Sequence, residues 1–371
     1  MAYTGMMTTY VNTNNQRRTV TDRLVLASPY DIAAIQALGL DNTAKFKFVD
    51  TPGVQYTWYE DTYVPNNDTL AAAITSTTAT SVSVSTISIY QPGDVIKVDD
   101  EYMWVSSTNN GTGLTVTRGF GGTTAATHNS GAEVKILYSA RPEGAVADDS
   151  PYSEITQNTN YSTILEYTVS AARSDMRIKR YGMGDIIEYY IDKGMDMLKE
   201  RLNRIAYYGR KSSNPRSSGG FNEFITTNVV NLSGASLTRK HLDDMLERIF
   251  SYGGNPDLIL CSTWARRKIN SFFEPFITTE RDERVGGMRI DTLEHPFGGV
   301  PITIVTDRHC QQDYLYLIDR RYAGYITIDP FFYEQLAKTG DSEQGQIVGE
   351  YGFVVQFEKA HGILKGFSTT S

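Results

Sequence analysis

The chain holds few of the residues that covalent chemistry or tight ligand capture would need. Its only cysteines, Cys261 and Cys310, cannot build a disulfide framework, so folding in a reducing compartment is the default. The five histidines (His128, His241, His295, His309 and His361) are scattered, and neither HExxH nor CxxC occurs. Metal ligation therefore has no support, and a solvated or structural role is the better reading for each. There is no excess of positive charge: the formal net charge is -8, which argues against a free-standing DNA grip. Confining nucleic acid inside a container would need no such excess. No apolar run approaches the roughly 18 residues of a membrane helix. The segment from Met1 to Arg18 is polar, without the apolar core of a secretory signal, so a cytosolic product is expected.

Motifs of catalysis are missing as well. There is no G-x-S-x-G elbow. Gly119-Phe120-Gly121-Gly122 is not followed by a helix start that could hold phosphate, so it reads as a hairpin turn. His309 and Cys310 are adjacent, and neighbours in a strand point to opposite faces, so they make a poor dyad. Asp99-Asp100-Glu101 lacks the ligand spacing of a calcium loop and reads as a turn between strands. Neither an enzymatic activity nor a cofactor is expected.

What the chain has is tyrosine, 24 against 3 Trp. Tyr suits surfaces that become half-buried on association, and it equally suits the rims of amphipathic strands. At roughly 100–200 residues per domain, 371 residues suggest two or three domains. After a polar start carrying Arg17, Arg18 and Arg23, the segment Pro29 to Leu40 shows helical spacing. Lys45 to Val64 is strand-like and aromatic. Between about Thr75 and Ala140, short β-rich runs (Val82 to Ile89, Val95 to Val98, Tyr102 to Val105, Leu114 to Thr117, Val134 to Tyr138) alternate with turn chemistry. They predict a small sandwich or barrel inserted into a longer excursion.

The clearest helix runs from Asp185 to Tyr208, with Ile187, Tyr190, Ile191, Leu198, Leu202 and Ile205 on one face. An α/β section follows. Thr238 caps a helix carrying Leu242, Met245, Leu246, Ile249 and Phe250; a buried strand spans Asp257 to Cys261, and a helix Thr263 to Phe273. Strands at Pro301 to Thr306, Tyr314 to Ile318 and Tyr325 to Ile328 precede a half-buried closing strand in which Tyr351, Phe353, Val355 and Phe357 alternate.

This order of parts resembles the Hong Kong 97-type major capsid protein of tailed bacteriophages. Local sequence carries the likeness at Thr21-Asp22-Arg23-Leu24-Val25, Pro256-Asp257-Leu258-Ile259-Leu260-Cys261-Ser262, Phe297-Gly298-Gly299-Val300-Pro301-Ile302 and Glu358-Lys359-Ala360-His361-Gly362. Gly93-Asp94-Val95-Ile96, Asp99-Asp100-Glu101-Tyr102-Met103 and Thr117-Arg118-Gly119-Phe120-Gly121-Gly122-Thr123 resemble a small β-module of phage structural proteins.

The resemblance implies an α+β fold with an N-terminal arm (1–44), an extended loop (45–74 and 141–170) and an inserted all-β module (75–140). A peripheral domain with the spine helix (171–225 and 340–371) and an axial α/β domain (226–339) complete it. It further implies self-assembly as hexamers and pentamers into an icosahedral shell around double-stranded DNA, without sequence-specific binding or a membrane. Portal, scaffolding and decoration proteins are the other expected partners, with assembly in the bacterial cytoplasm and residence in the virion. The alternative is a tail, neck or fibre-associated protein whose β-module binds a host surface or carbohydrate; a hydrolase hidden in the α/β section ranks third.

Charge is uneven in a way assembly can use. From Asp50 to Glu166 there are 14 acidic and 4 basic residues, and from Tyr167 to Arg216 there are 11 basic and 6 acidic. Such a distribution sets register between neighbours more than it adds affinity. Asp148, Asp149 and Glu154 are expected to face Arg173, Arg177, Lys179 or Arg180 of a neighbouring subunit, with Arg17 and Arg18 of the arm as further contacts.

Overall fold

The computed structural model describes residues 30–48, 53–109, 111, 113–145, 153–178, 180, 184–273, 291–294, 296–297, 300–338 and 340–370. The chain divides into a smaller unit, Tyr59–Asn158, and a larger one formed by the residues before and after it. The two-stranded excursion is present: β1 (Gln55–Glu60) pairs with β8 (Thr156–Tyr161), and the division between the units runs through both strands.

The smaller unit contains β2 (Asn67–Thr69), β3 (Ser81–Ser83), β4 (Asp94–Val98), β5 (Glu101–Thr108), β6 (Gly113–Thr117) and β7 (Glu133–Ser139). They form one sheet in the order β2-β7-β4-β5-β6-β3. The sheet closes on itself through a bridge between Leu70 and Val84, flanked by hydrogen bonds from Ala71 N to Ser83 O and Ser85 N to Thr69 O. The result is a barrel, with Val82, Val84, Ile96, Val98, Met103, Val105 and Leu114 sealed inside. β2 belongs to this barrel although its polar Asn-Asp-Thr has no alternation that would mark a strand; its pairing with Glu133–Lys135 decides it.

The predicted strand Val82 to Ile89 is cut short. Asp68 accepts hydrogen bonds from Thr86 N (2.9 Å) and Tyr90 OH (3.2 Å), and Ile87–Ile89 turns as a short 3-10 helix instead.

One end of the barrel is plugged by charge. Glu101, read as part of a turn, is 1% exposed and accepts five hydrogen bonds. Two come from Arg118 (Nε at 2.6 Å, Nη2 at 2.7 Å), two from the backbone N–H groups of Gly119 and Ala126, and one from His128 Nε2 at 3.0 Å. The other His128 nitrogen lies 2.7 Å from Asp99, and Arg118 also donates to the carbonyls of Ser76 and Ala79. Burial pushes the Glu101 carboxyl up, but the donors, led by Arg118, outweigh it and hold the group down at about 2. Gly119 is needed at the corner because its φ is +63°, and a Cβ there would stand 2.8 Å from the Thr123 carbonyl.

The larger unit begins with α1 (Ala33–Leu38), inside the predicted helical segment. After β8 come β9 (Thr163–Ala172), α2 (Arg173–Arg177) and the spine helix α3 (Ile186–Tyr208). Asp185 caps α3 by accepting from Ile187 N, and Gly209 ends it. Beyond it are β10 (Ser212–Ser213), β11 (Arg216–Ser217), α4 (Phe221–Phe224), β12 (Val229–Asn231), α5 (Arg239–Ser251), β13 (Leu258–Cys261) and α6 (Thr263–Phe273). β14 (Thr292–Leu293), β15 (Ile302–Thr306), β16 (Tyr314–Ile318), β17 (Ala323–Gln335), β18 (Ser342–Val355) and β19 (Gly362–Lys365) close the chain.

Two sheets organise this unit. A mixed sheet runs β12-β19-β16-β13-β15-β14, and a three-stranded antiparallel sheet runs β17-β18-β9. In the mixed sheet, Leu258, Leu260, Tyr316 and Ile318 face a core shared with α1 and α3. Ile259, Cys261, Leu315 and Leu317 face a second core under α5 and α6, so both faces are covered.

The closing strand is likewise buried on both faces. Tyr351, Phe353 and Val355 face the first core, while Val354 packs with Phe46, Tyr56, Trp58 and Ile326 on the other side. Phe357 lies beyond it, in a left-handed turn at φ 46°. Phe250, expected on the apolar face of α5, is 46% exposed and stacks on Phe297.

Glycines set how closely the spine helix approaches its sheet. A Cβ on Gly194 of α3 would lie 2.5 Å from the Tyr167 ring of β9, and on β18 the Gly345 and Gly349 backbones lie under Tyr333 and Phe331. Helix propensity favours Ala over Gly by about 1 kcal/mol. Relieving the clash costs about 1–3 kcal/mol, so Gly194→Ala is expected to lower the melting temperature. In the barrel, Arg118→Ala strands a buried carboxylate, a loss of about 3–5 kcal/mol. Hydrogen exchange confined to barrel peptides should report it. Because the Glu101 value lies below the ordinary 4.5, its contribution is full above pH 4.5 and is lost as the pH falls toward 2; barrel-resolved exchange against pH checks the window.

Candidate assembly surfaces

Any surface this chain offers to another must be held still by what lies beneath it, and in the larger unit that support is polar. Asp307, after β15, is 0% exposed. Its Oδ2 accepts from Asn203 Nδ2 (2.7 Å), Tyr207 OH (2.9 Å) and Ala34 N (3.2 Å), and its Oδ1 accepts from His309 N (2.8 Å). Asn203 passes the link on: its Oδ1 accepts from Ile35 N at 3.1 Å and its carbonyl from Tyr325 OH at 3.2 Å. α1, α3, β15 and β17 are thus tied to one carboxylate. Burial first, then the charge of Asp307, pushes the Tyr207 phenol far up, so it stays a neutral donor. Sequence reading missed this hub. Its only trace was Asn203, a polar residue between Leu202 and Ala206 on an apolar face.

The root of the β1–β8 ribbon has a second hub. The Tyr56 hydroxyl donates to Phe353 O (2.9 Å) and accepts from Phe353 N (2.8 Å), which also donates to Ser218 Oγ at 3.0 Å. Asn160, 0% exposed, donates to Phe353 O at 2.7 Å and to Gly219 O at 3.2 Å. Gly352 leaves the room: a Cβ there would lie 2.6 Å from the Tyr56 hydroxyl. Beside it, Arg216 pairs with Glu350 at 3.0 Å, and Ser162 donates to the same carboxylate.

Beyond these anchored roots the chain displays apolar side chains. In the smaller unit, Tyr59 and Ile155 on the excursion are largely exposed and Tyr63 is completely so. In the larger unit, Ile164 on β9, Ile178 after α2, and Met197 and Tyr208 on α3 are exposed. Tyrosine serves both of its expected roles, since Tyr56, Tyr207, Tyr316, Tyr325 and Tyr351 are buried in the core.

Of the predicted contact residues, Glu154 and Arg177 are exposed and have no ion pair among the described residues. Arg173 pairs with Asp341 at 2.6 Å and Arg180 with Asp175, both at the surface. Such exposed pairs are worth about 0–1 kcal/mol and can exchange for others. Arg17, Arg18, Asp148, Asp149 and Lys179 lie outside the described residues.

His309 and Cys310 do not form a dyad: His309 Nδ1 faces Arg204 Nε at 3.2 Å, and the thiol points to the carbonyls of Gln311 and Tyr314. Cys310 is a core residue, with burial holding its thiol well above the ordinary range, and Cys261 is pushed up to about 12 for the same reason.

A search of curated proteins finds no match. Among solved structures, the chain is similar to the capsid asymmetric unit of cyanophage A-1(L) (10% identity, TM-score 0.58), with 98% of this chain and 100% of that one covered. It is also similar to the capsid of a native GTA particle (8% identity, TM-score 0.53, 96% and 97% covered). A structure of Mycobacterium phage Bobi gives 8% identity and TM-score 0.52, with 96% and 98% covered. At such identities the likeness is one of fold, and the fold is the Hong Kong 97 type. A family model described as SU10 major capsid protein matches residues 4–368. With that match over nearly the whole sequence, the chain belongs to the SU10 major capsid protein family, whose members form shells and are not enzymes.

Proposed function

We propose that this major capsid protein closes its shell through hexamers and pentamers in which the excursion of one subunit lies on the spine-helix region of the next. The observation that carries the reading is the exposed row Tyr59, Tyr63 and Ile155, which the smaller unit cannot cover for itself. Fully burying a large apolar side chain contributes about 1.5–3 kcal/mol. One such contact is weak, but a subunit held by several neighbours makes each further contact at high effective concentration. Contacts this weak keep free subunits soluble and still close a shell.

Ile164, Ile178 and Met197 are the apolar receptors in this reading, flanked by Arg173, Arg177, Lys179 and Arg180. The incoming excursion brings Asp148, Asp149 and Glu154, and Arg17 and Arg18 of the arm add contacts. The pairs Arg173–Asp341 and Arg180–Asp175 hold these cations in place until a neighbour's carboxylates exchange for them. The parts are an arm (1–44), an extended loop (45–74 and 141–170) around the barrel (75–140), a peripheral domain (171–225 and 340–371) centred on α3 and an axial domain (226–339) centred on the mixed sheet. β17 is shifted to the peripheral side by its pairing with β18, and β19 to the axial side by its place beside β16. The shell is icosahedral, assembles in the bacterial cytoplasm and encloses double-stranded DNA without reading its sequence. Portal, scaffolding and decoration proteins are its further partners.

Reversing Arg173, Arg177 and Arg180 to Glu should abolish closed shells in negative-stain micrographs and leave the subunit's unfolding free energy within about 1 kcal/mol of wild type. Combining that change with Asp148, Asp149 and Glu154 to Lys should restore them in part. Shells that form normally from the single-sided reversal would remove the charge pairing. Replacing Tyr59 and Tyr63 with Ser should raise the concentration needed for assembly about tenfold or more, read by light scattering.

A further inference from the structure

The two sheets of the larger unit are joined by two chain crossings that lie against each other. One leaves β16 through Asp319–Tyr322 and enters β17; the other leaves β18 through Gln356–His361 and enters β19. Gln356 N donates to Tyr322 O at 2.8 Å, and the Tyr322 ring meets Phe357 edge-on at 5.5 Å.

His361 sits between the crossings, 0% exposed. Its Nδ1 accepts from Asp319 N at 3.2 Å, and its Nε2 lies 3.1 Å from the Gln356 carbonyl. A backbone N–H can only donate and a carbonyl can only accept, so the ring is neutral with its proton on Nε2. A second proton, on Nδ1, would point at the Asp319 N–H and remove that bond.

The charged groups around the ring come from every neighbouring segment. Asp319 is paired with Arg321, and Asp257, before β13, takes both the backbone N–H and Nε of Arg320. Glu358 accepts from Thr226 and Thr227, Lys359 lies over Tyr252, and Lys45 donates to the Ala323 carbonyl. The three carboxylates favour an imidazolium, yet burial wins and holds the ring down at about 4.

We propose that His361 is an acid-sensitive clamp on the hinge between the two sheets, and that protonation at Nδ1 separates the Asp319 and Gln356 crossings. The ring's ordinary value is 6.5, above its value in the closed hinge. The open hinge therefore binds the extra proton, so the clamp is at full strength above pH 6.5 and weakens as pH falls toward 4. Linkage of one proton makes opening about tenfold easier per pH unit across that window.

Peptide-level hydrogen exchange on the full-length protein, at about pH 7 and about pH 5 with intrinsic rates corrected, tests this. Protection should fall together in the peptides covering 318–322 and 356–363, by about 20-fold, while α3 peptides stay constant. In His361→Gln the amide keeps an acceptor for Asp319 N and a donor for Gln356 O without titrating, so the pH dependence should vanish. Unchanged wild-type protection would overturn the clamp. So would an equal fall in the variant, which would assign the effect to the carboxylates. Should the variant not fold, nitrogen-15 spectra of wild-type histidines near pH 6 decide instead. A buried neutral Nε2–H tautomer is expected, and an imidazolium or an Nδ1–H tautomer refutes the proposal.

Discussion

Asp307 carries a carboxylate to the centre of the larger unit, where no water reaches it. An unpaired charge in such a place costs several kcal/mol, so the fold holds only where every donor around it is in position. Those donors come from α1, from two positions one turn apart on α3 and from the loop after β15. The constraint is directional: rotating α3 by a fraction of a turn withdraws both Asn203 and Tyr207 at once. The apolar contacts of Leu198, Leu202 and Ala206 carry no hydrogen-bond direction. The carboxylate adds that direction to the orientation of the spine helix.

Orientation matters here because the function is geometric. A shell subunit must present the same surface in every copy, and an error repeated around a ring does not close. The Tyr56 hub does for the excursion what Asp307 does for the helix. Phe353 has its N–H and C=O both bonded to one phenol, and Asn160 and Ser218 lock the neighbouring strand and loop to the same residue. The glycines of β18 belong to the same device. Gly349 and Gly352 leave the space that Phe331 and Tyr56 fill, so the rings seat against backbone and not against side chains that could change rotamer.

Much of this architecture is legible in the sequence because it is local. The period of 3.6 over Asp185 to Tyr208 marks the spine helix to within a residue. The Gly- and Asp-rich turns between Val95 and Thr117 fall where the hairpins turn. What was not legible is what pairs residues far apart. Asn203 and Asp307 are separated by 104 residues, and no pattern in either segment names the other. Glu101, Arg118 and His128 were each visible, yet Glu101 looked like one more turn carboxylate until the barrel brought the three together. Alternation in Tyr351, Phe353 and Val355 identified the strand. Its second face was hidden by Phe46, Tyr56 and Trp58, whose approach depends on the tertiary fold. The exposed apolar patch is an absence of packing around Tyr59 and Tyr63, and sequence records which residues are apolar but not which are left uncovered.

The inserted barrel has to avoid becoming a site of uncontrolled pairing. An open six-stranded sheet would leave two edges with unmet N–H and C=O groups, a template for strand addition between chains. The Leu70–Val84 bridge removes both edges, because β2 and β3 then satisfy each other. Closure leaves the barrel ends open to water, and a purely apolar plug would offer little resistance to slippage of the hairpins. Glu101 with Arg118 and His128 fills one end with directional bonds to backbone groups of three segments. Replacing such a network with apolar residues is often neutral for stability. Its value here is register, because a hairpin that slips by one residue loses the Arg118–Glu101 fork entirely and gains no compensating contact.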